Sequence, residues 1–270
     1  MLSVEYIGLY ILLGGFTGFM AGLLGVSGGG ILVPLLTTIF TWQGMAESRT
    51  VHMALGTALT CMLLTSISSI RAHHIQGFVV WPIVGRMAAG IMAGAFITAQ
   101  FAAQVSALYI AIFFSIFMLF VAVQMFANWK PAPNTKSPMT RTELTGTGLG
   151  IGGISALAAV GGGFLTIAYL GYKNISMKKA VGTSAAIGLP IAAAGAIGYT
   201  ISGWSSTTET PYTLGYIYIP AFVAVSLSSI LAAPLGARCS HSLPEIQLKR
   251  IFGIVCVLLS IKMLVSFVGQ

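Results

Sequence analysis

Two long stretches of this chain carry no charged side chain, and they constrain its fold more than any other feature. One runs from residue 87 to residue 129 and the other from residue 180 to residue 208. Each exceeds the roughly 20 apolar residues that one helix needs to cross a bilayer. Charged residues make up only 7% of the chain and hydrophobic residues 56%, whereas about a quarter of a soluble domain is charged. The sequence therefore predicts an all-α polytopic membrane protein.

The lysines and arginines that give the chain a net charge of +8 are scattered among short loops. A nucleic-acid-binding domain gathers such residues on one face, so we expect no nucleic-acid partner and assign the basic loops to membrane orientation. The cysteines Cys61, Cys239 and Cys256 are odd in number and lie in or beside apolar segments. This placement favours unreactive thiols over a disulfide or a zinc site. The sequence therefore indicates no cofactor and no metal.

Each half of the chain holds a glycine triplet inside an apolar stretch, at residues 28–30 and 161–163. Glycine in a helix interior costs about 1 kcal/mol relative to alanine, and a bilayer tolerates a broken helix only where protein or water surrounds it. Such a break presents backbone N–H groups at the start of the next helix, where the helix dipole favours an anion. Two breaks in corresponding halves are typical of a transporter substrate site. We therefore predict a site for a small anion at the two breaks.

The two halves resemble each other at three landmarks that follow in the same order. The matched pairs are GFTGFMAGLLGVSGGGILVPLL (15–36) with GLGIGGISALAAVGGGFLTIAY (148–169), LGTA (55–58) with VGTS (181–184), and GFVVWP (77–82) with GYIYIP (215–220). Only the loop lengths between them change. The pattern predicts a duplication.

The apolar segments define the organisation of each repeat. The first repeat, residues 1–127, is predicted to hold a glycine-broken hairpin at 4–41 and transmembrane helices at 50–70, 78–101 and 105–127. A cytoplasmic linker at 128–141 precedes the second repeat, residues 142–270, with a hairpin at 144–172 and helices at 179–201, 214–237 and 246–268.

The loop charges predict the orientation of the repeats. If each triplet turns the chain back as a hairpin, each half crosses the membrane an odd net number of times, and the two repeats have inverted topology. Nearly all loop lysines and arginines then lie on one face, whereas a simple kink at each triplet would divide them more evenly. The positive-inside rule favours the hairpins and assigns the basic face to the cytoplasm. Both termini are then extracytoplasmic.

The candidate substrate-binding residues lie at both breaks and on the helix that follows each. They are Ser27, Gly28, Gly29, Gly30, Ile31 and Thr57 in the first half, and Gly161, Gly162, Gly163, Phe164, Thr183 and Ser184 in the second. Arg86 is added because an ionisable group deep in an apolar segment usually faces a cavity or a partner. Its equivalent in the other half is Ala224, so the predicted site is asymmetric.

Each of these candidates has a structural alternative. Small residues also allow close helix packing. Gly14, Gly18 and Gly22, spaced four residues apart, fit this interpretation better than a substrate site. Hydroxyls in membrane helices often bond their own backbone, and Arg86 can reach back to the headgroups. No carboxylate is expected in mid-membrane, so a coupling proton would be carried by the substrate or by a histidine. His52, at an extracellular helix end, could sense pH.

The segments AGLLGVSGGGILVPLL and ALAAVGGGFLTIAYL, together with the Gly-Thr and Gly-aromatic landmarks, resemble the sulfite exporter (TauE/SafE) family of membrane transporters. The resemblance extends over about residues 8–268, although Ile167 stands where the first motif has Pro34, and Ala158 where it has Gly25. It implies secondary transport of a sulfur-containing anion, such as sulfite, thiosulfate, sulfate or an organosulfonate like sulfoacetate, in a bacterial inner membrane.

Together these observations predict a transporter that exports a small sulfur-containing anion by alternating access, in contact with the lipid bilayer and with a coupling proton or cation as a possible partner. An anion channel and an importer of sulfate or thiosulfate are the alternatives. We expect no enzyme, because the apolar segments offer no buried nucleophile, base or metal-binding set.

Overall fold

The computed structural model describes residues 4–24, 28–127, 139–205, 211–240 and 245–268, and these form ten α-helices and one β-hairpin. The helices are α1 (Val4–Leu24), α2 (Gly29–Trp42), α3 (Glu47–Ile75), α4 (Trp81–Ala102), α5 (Ala107–Ala127), α6 (Arg141–Ala158), α7 (Gly163–Tyr172), α8 (Met177–Gly203), α9 (Ile219–Ser240) and α10 (Glu245–Val268). The strands β1 (Thr213–Leu214) and β2 (Ile217–Tyr218) pair antiparallel between α8 and α9.

The prediction of an all-α polytopic membrane protein is confirmed. Six of the described helices, namely α1, α3, α4, α5, α8 and α9, are long and apolar enough to cross a membrane. The shorter apolar helices α2 and α7 each begin within a glycine triplet. Most of the predicted linker, residues 128–138, lies outside the described residues.

Helix starts follow local sequence rules. Thr140 caps α6 by accepting a hydrogen bond from the N–H of Glu143 at 3.2 Å, and a threonine followed three residues later by glutamate is the pattern of a capping box. Pro82 occupies the first turn of α4, where a missing N–H costs nothing. Gly77, with φ of +71°, turns the chain between α3 and α4.

The helices of the two halves pack crosswise. The first helix of each half lies along the fourth of the other, so that α1 packs on α9 and α6 on α4. The third helices α3 and α8 pack together and are the most buried of the six long helices, and α5 packs on α10. Exchanging the halves maps these contacts onto themselves, which is the arrangement that a duplicated sequence gives.

Small residues permit the crosswise packing. A Cβ on Gly14 of α1 would overlap the backbone of Val225, and one on Gly18 would overlap that of Ser229, both in α9. In the other half, a Cβ on Gly148 of α6 would lie 2.7 Å from the Met87 carbonyl oxygen of α4. The packing interpretation of the first two glycines is therefore confirmed, because bulkier residues would keep the helix backbones apart.

Candidate functional site

The two glycine breaks lie in contact with each other in the interior of the helix bundle. A Cβ on Gly29, the first residue of α2, would overlap the carbonyl oxygen of Ala159 and the Sδ atom of Met62. A Cβ on Gly30 would lie 3.1 Å from Cγ2 of Val160. The structure thus brings together the start of α2 and the turn between α6 and α7, which are about half the chain apart in sequence.

The second break is built from left-handed backbone. Ala159, which ends α6, has φ of +49°, and Gly161 and Gly162 have φ of +61° and +70°. Glycine adopts these angles without a steric penalty. In the first break Gly28 has φ of −65°, so the two breaks differ in backbone conformation. Ser27 lies outside the described residues.

Some of the backbone N–H groups at the breaks already donate a hydrogen bond within the protein. The N–H groups of Ile31 and Leu32 both donate to the carbonyl oxygen of Gly28 at 3.1 Å. The expectation that the Ile31 amide faces a cavity is therefore wrong, because the tight first turn of α2 uses it. First-turn amides lack a carbonyl partner within their own helix, and at the two breaks they include those of Gly29, Gly30, Gly163 and Phe164.

Two buried hydroxyls beside the second break were not predicted from the sequence. Ser155 of α6 and Thr166 of α7 are 1% and 0% exposed. Within the described residues, neither Ser155 Oγ nor Thr166 Oγ1 has a hydrogen-bond partner. A Cβ on Gly162 would lie 3.3 Å from Thr166 Oγ1, so this hydroxyl adjoins the break. An unpaired buried polar group costs about 1–3 kcal/mol, and in native proteins such a group is usually explained by a bound water, an ion, a ligand or a functional role.

A third hydroxyl approaches the same break from the centre of the bundle. Ser66 of α3 is 4% exposed. A Cβ on Gly188 of α8 would lie 3.3 Å from both Ser66 Oγ and the Gly161 carbonyl oxygen. Ser66 and Thr166 therefore adjoin the second break, and Ser155 lies one helical turn before it, where its carbonyl oxygen accepts hydrogen bonds from the N–H groups of Ala159 and Val160. Ser155 and Thr166 lie within the second glycine-rich motif of the sequence and Ser66 lies outside both motifs, so their common location depends on the packing of the helices.

The Gly-Thr landmarks bond reciprocally between the halves. Thr57 Oγ1 of α3 accepts a hydrogen bond of 3.0 Å from the N–H of Tyr218, the residue before α9. Thr183 Oγ1 of α8 accepts one of 3.0 Å from the N–H of Val80, the residue before α4. In these contacts both threonines bond the opposite half and not the backbone of their own helix. Ser184 follows the structural alternative, because its Oγ donates to the Val181 carbonyl oxygen of its own helix at 2.8 Å.

The glycines of the same landmarks make the reciprocal contact possible. A Cβ on Gly56 would lie 2.6 Å from the Tyr216 carbonyl oxygen, and one on Gly182 would lie 2.6 Å from the Phe78 carbonyl oxygen. Phe78 and Tyr216 occupy the same place in the third landmark of the repeat. Each Gly-Thr pair therefore holds the Gly-aromatic segment of the other half.

The expected burial of Arg86 is wrong. The segment was predicted to begin at residue 78, but α4 begins at Trp81, so Arg86 lies only about 7 Å along the helix from its start. The residue is exposed, and the Thr145 hydroxyl donates to its backbone carbonyl at 3.0 Å. The position fits the alternative of an arginine near a helix end that reaches the headgroups.

Each hairpin is closed at its open end by a polar pair. In the second hairpin, Lys173 Nζ lies 2.7 Å from Glu143 Oε1, and the Tyr169 hydroxyl donates to the same oxygen at 3.1 Å. The hydrogen bond from the Lys173 ammonium holds the pKa of the Glu143 carboxyl below its usual range. In the first hairpin, the Tyr10 hydroxyl donates to Gln43 Oε1 at 2.9 Å. Tyr10 and Glu143 are equivalent in the repeat, so one hairpin closes with an ion pair and the other with a neutral bond.

Comparison with known proteins now identifies the family. The family model described as "Sulfite exporter TauE/SafE" matches residues 10–263. The chain belongs to this family.

Its relatives carry general names. A "Probable membrane transporter protein" of Haemophilus influenzae is 32% identical over 258 residues, which cover 96% of this chain and 98% of the relative. The "Probable membrane transporter protein YdhB" of Bacillus subtilis is 26% identical over 249 residues, covering 89% of this chain and 93% of the relative. No solved structure matches. This TauE/SafE-family chain is therefore a multi-pass membrane transporter, in agreement with its apolar helices.

Proposed function

We propose that this protein is a secondary transporter that exports a small sulfur-containing anion, such as sulfite or an organosulfonate like sulfoacetate, across the bacterial inner membrane by alternating access. The observation that carries the proposal is the contact between the two glycine breaks, beside which Ser155 and Thr166 keep buried hydroxyls without a partner among the described residues. The description of the family as sulfite exporters favours a sulfur oxyanion as the cargo.

The chemistry of the donors supports an anion. First-turn amides of α2 and α7 donate hydrogen bonds and carry the positive end of the helix dipole. The hydroxyls of Ser155, Thr166 and Ser66 can each donate one further bond to a sulfur-bound oxygen. The substrate site therefore consists of residues 28–30, residues 161–164 and these hydroxyls. Arg86 is outside it because it is exposed, and Ile31 contributes no amide.

The reciprocal threonine bonds support a rigid frame of helices around the site, against which other helices can move. Thr57 and Thr183 each fasten the third helix of one half to the start of the fourth helix of the other. Ser184 contributes to the local geometry of α8 and not to the anion. In the alternating-access cycle, the two inverted hairpins rock against this frame. The basic loops then face the cytoplasm and both termini lie outside it.

The test measures efflux of radiolabelled sulfite and sulfoacetate from proteoliposomes. Thr166→Val replaces the unpaired hydroxyl with a methyl group of similar size, and Thr166→Ser keeps the hydroxyl. A lost hydrogen bond to a charged ligand costs about 1.5–3 kcal/mol, so Thr166→Val should weaken apparent affinity about 10-fold to 100-fold and Thr166→Ser much less. The control is Thr38→Val, because Thr38 Oγ1 already donates to the Pro34 carbonyl at 2.8 Å.

Four outcomes contradict parts of the proposal. Equal efflux with and without the protein for every sulfur anion would refute transport of this class. Wild-type affinity in Thr166→Val would remove the hydroxyl from the site. Steady, non-saturating conductance would indicate an anion channel, and net inward accumulation under an imposed gradient would indicate an importer of sulfate or thiosulfate.

A further inference from the structure

A basic residue stands near the start of the third helix in both halves. His52 in α3 and Lys178 in α8 are 126 positions apart, the same offset that relates Gly56 to Gly182 in the repeat. The Lys178 ammonium lies 5.9 Å from the ring centroid of Phe78. The His52 ring stacks on Tyr216, with 5.3 Å between centroids. Phe78 and Tyr216 are also equivalent in the repeat, so each half of the fold places a basic side chain against an aromatic ring. The basic side chain is a lysine against Phe78 and a histidine against Tyr216.

The polar atoms around the His52 ring are all hydrogen-bond acceptors. His52 is 3% exposed. Its Nε2 atom lies 2.9 Å from the Ala102 carbonyl oxygen and 3.1 Å from that of Val105, and its Nδ1 atom lies 3.2 Å from that of Ser48. A neutral imidazole has one N–H and therefore turns a lone pair towards one of these oxygens, whereas an imidazolium donates from both nitrogens. Ala102 ends α4, and the negative end of a helix dipole further favours a cation.

Few other titratable groups face this ring. On its own helix, Glu47 is exposed in the first turn and Arg49 lies one turn before His52. The connection between α8 and α9 contributes the Tyr216 phenol, behind which lies Tyr199, with 6.5 Å between the two ring centroids. From α4 and the turn that follows it, the ring meets the carbonyl oxygens already described. The carbonyl acceptors therefore favour the imidazolium, whereas the burial of the ring opposes its charge.

We propose that His52 is a proton-binding site that makes transport dependent on pH. Uptake of a proton gives α3 a second N–H donor, so that the ring bonds Ser48 and the end of α4 at the same time. The first half then carries the cation that Lys178 supplies permanently in the second half. Because α3 also bears Thr57 and Ser66, the protonation state of the ring acts on the helix that adjoins the substrate site. This last step rests on the proposed function.

The direct test is the NMR spectrum of the wild-type protein in nanodiscs with isotope-labelled histidine, recorded from about pH 8 to about pH 5, a range that brackets the ordinary histidine pKa of about 6.5. The chain has four histidines, so the His52 signal is assigned by its loss in His52→Gln or by elimination with variants of the other three. We expect this signal to convert from one neutral tautomer to the imidazolium. A ring that stays in one neutral tautomer throughout overturns the proposal.

A second test separates this inference from the proposed transport function. Initial efflux rates in proteoliposomes are expected to change several-fold over the same pH range for the wild type and for the control His74→Gln, whose imidazole lies in the last turn of α3. The profile should flatten in His52→Arg, whose guanidinium stays charged, and in His52→Gln, which is never charged. A wild-type profile in both variants overturns the link to transport. If no substrate is found, the NMR titration still decides whether His52 binds a proton.

Discussion

Replacing Thr57 by valine tests the reciprocal bonds between the halves. Thr57 is fully buried, and its hydroxyl is the hydrogen-bond acceptor for the N–H of Tyr218, itself only 5% exposed. Valine keeps the size of the side chain but leaves that N–H buried and unpaired. Such a group costs about 1–3 kcal/mol. At roughly 2–4 °C per kcal/mol for a chain of this size, the melting temperature should fall by roughly 2–12 °C.

The matched control is Thr60→Val, one turn along the same helix. Thr60 Oγ1 donates to the carbonyl of Gly56 in its own helix at 2.7 Å, so its loss leaves no buried donor unpaired. Melting of the purified variants in detergent should therefore separate Thr57→Val from Thr60→Val. Thr183→Val should match Thr57→Val, because its hydroxyl serves Val80 in the same way. Equal melting temperatures for Thr57→Val and Thr60→Val would refute the reasoning.

Two further predictions concern the glycine breaks and the hairpin base. Gly29→Ala should lower the melting temperature and the efflux rate, because its Cβ would overlap the Ala159 carbonyl oxygen. The control Gly15→Ala should be tolerated, because a Cβ there meets no atom within 4 Å. Equal effects in the two variants would contradict the contact between the breaks. Glu143→Gln should lower thermal stability at neutral pH by removing the partner of Lys173. Because the pKa of Glu143 is depressed, its contribution is present above the ordinary value of about 4.3 and is lost as the pH falls through the folded-state pKa, so the wild type and Glu143→Gln should converge in melting scans at low pH.

Local sequence was sufficient to predict the class of the fold and the position of the breaks. The length of an apolar segment and its lack of charge identify a membrane helix, because the hydrocarbon core of the bilayer requires predominantly apolar residues along the whole span. Each triplet, at 28–30 and 161–163, contains the start of a new helix in the structure, because glycine weakens a helix locally. The packing interpretation of Gly14 and Gly18 was also available from spacing alone.

The start of α4 shows where local reasoning failed. The apolar segment that contains Arg86 begins before the helix does, because Phe78 and Val80 are held by the Gly-Thr segment of α8 in an irregular connection. Hydropathy does not distinguish that connection from the first turn of a helix. The depth of Arg86 along its helix was consequently overestimated, because the residue before α4 is held by Thr183, about a hundred positions away in the sequence.

By itself, the sequence determined that this protein is a helical membrane transporter with two interrupted helices, since hydropathy, glycine placement and family motifs are properties of short segments. Only the tertiary structure decided which groups meet at the interruptions. Ser66, Ser155 and Thr166 approach one break from three helices, and Thr57 and Thr183 turn towards the opposite half. The physical reason is that the cost of burying a hydroxyl is set by its neighbours in space, and these neighbours come from distant parts of the chain.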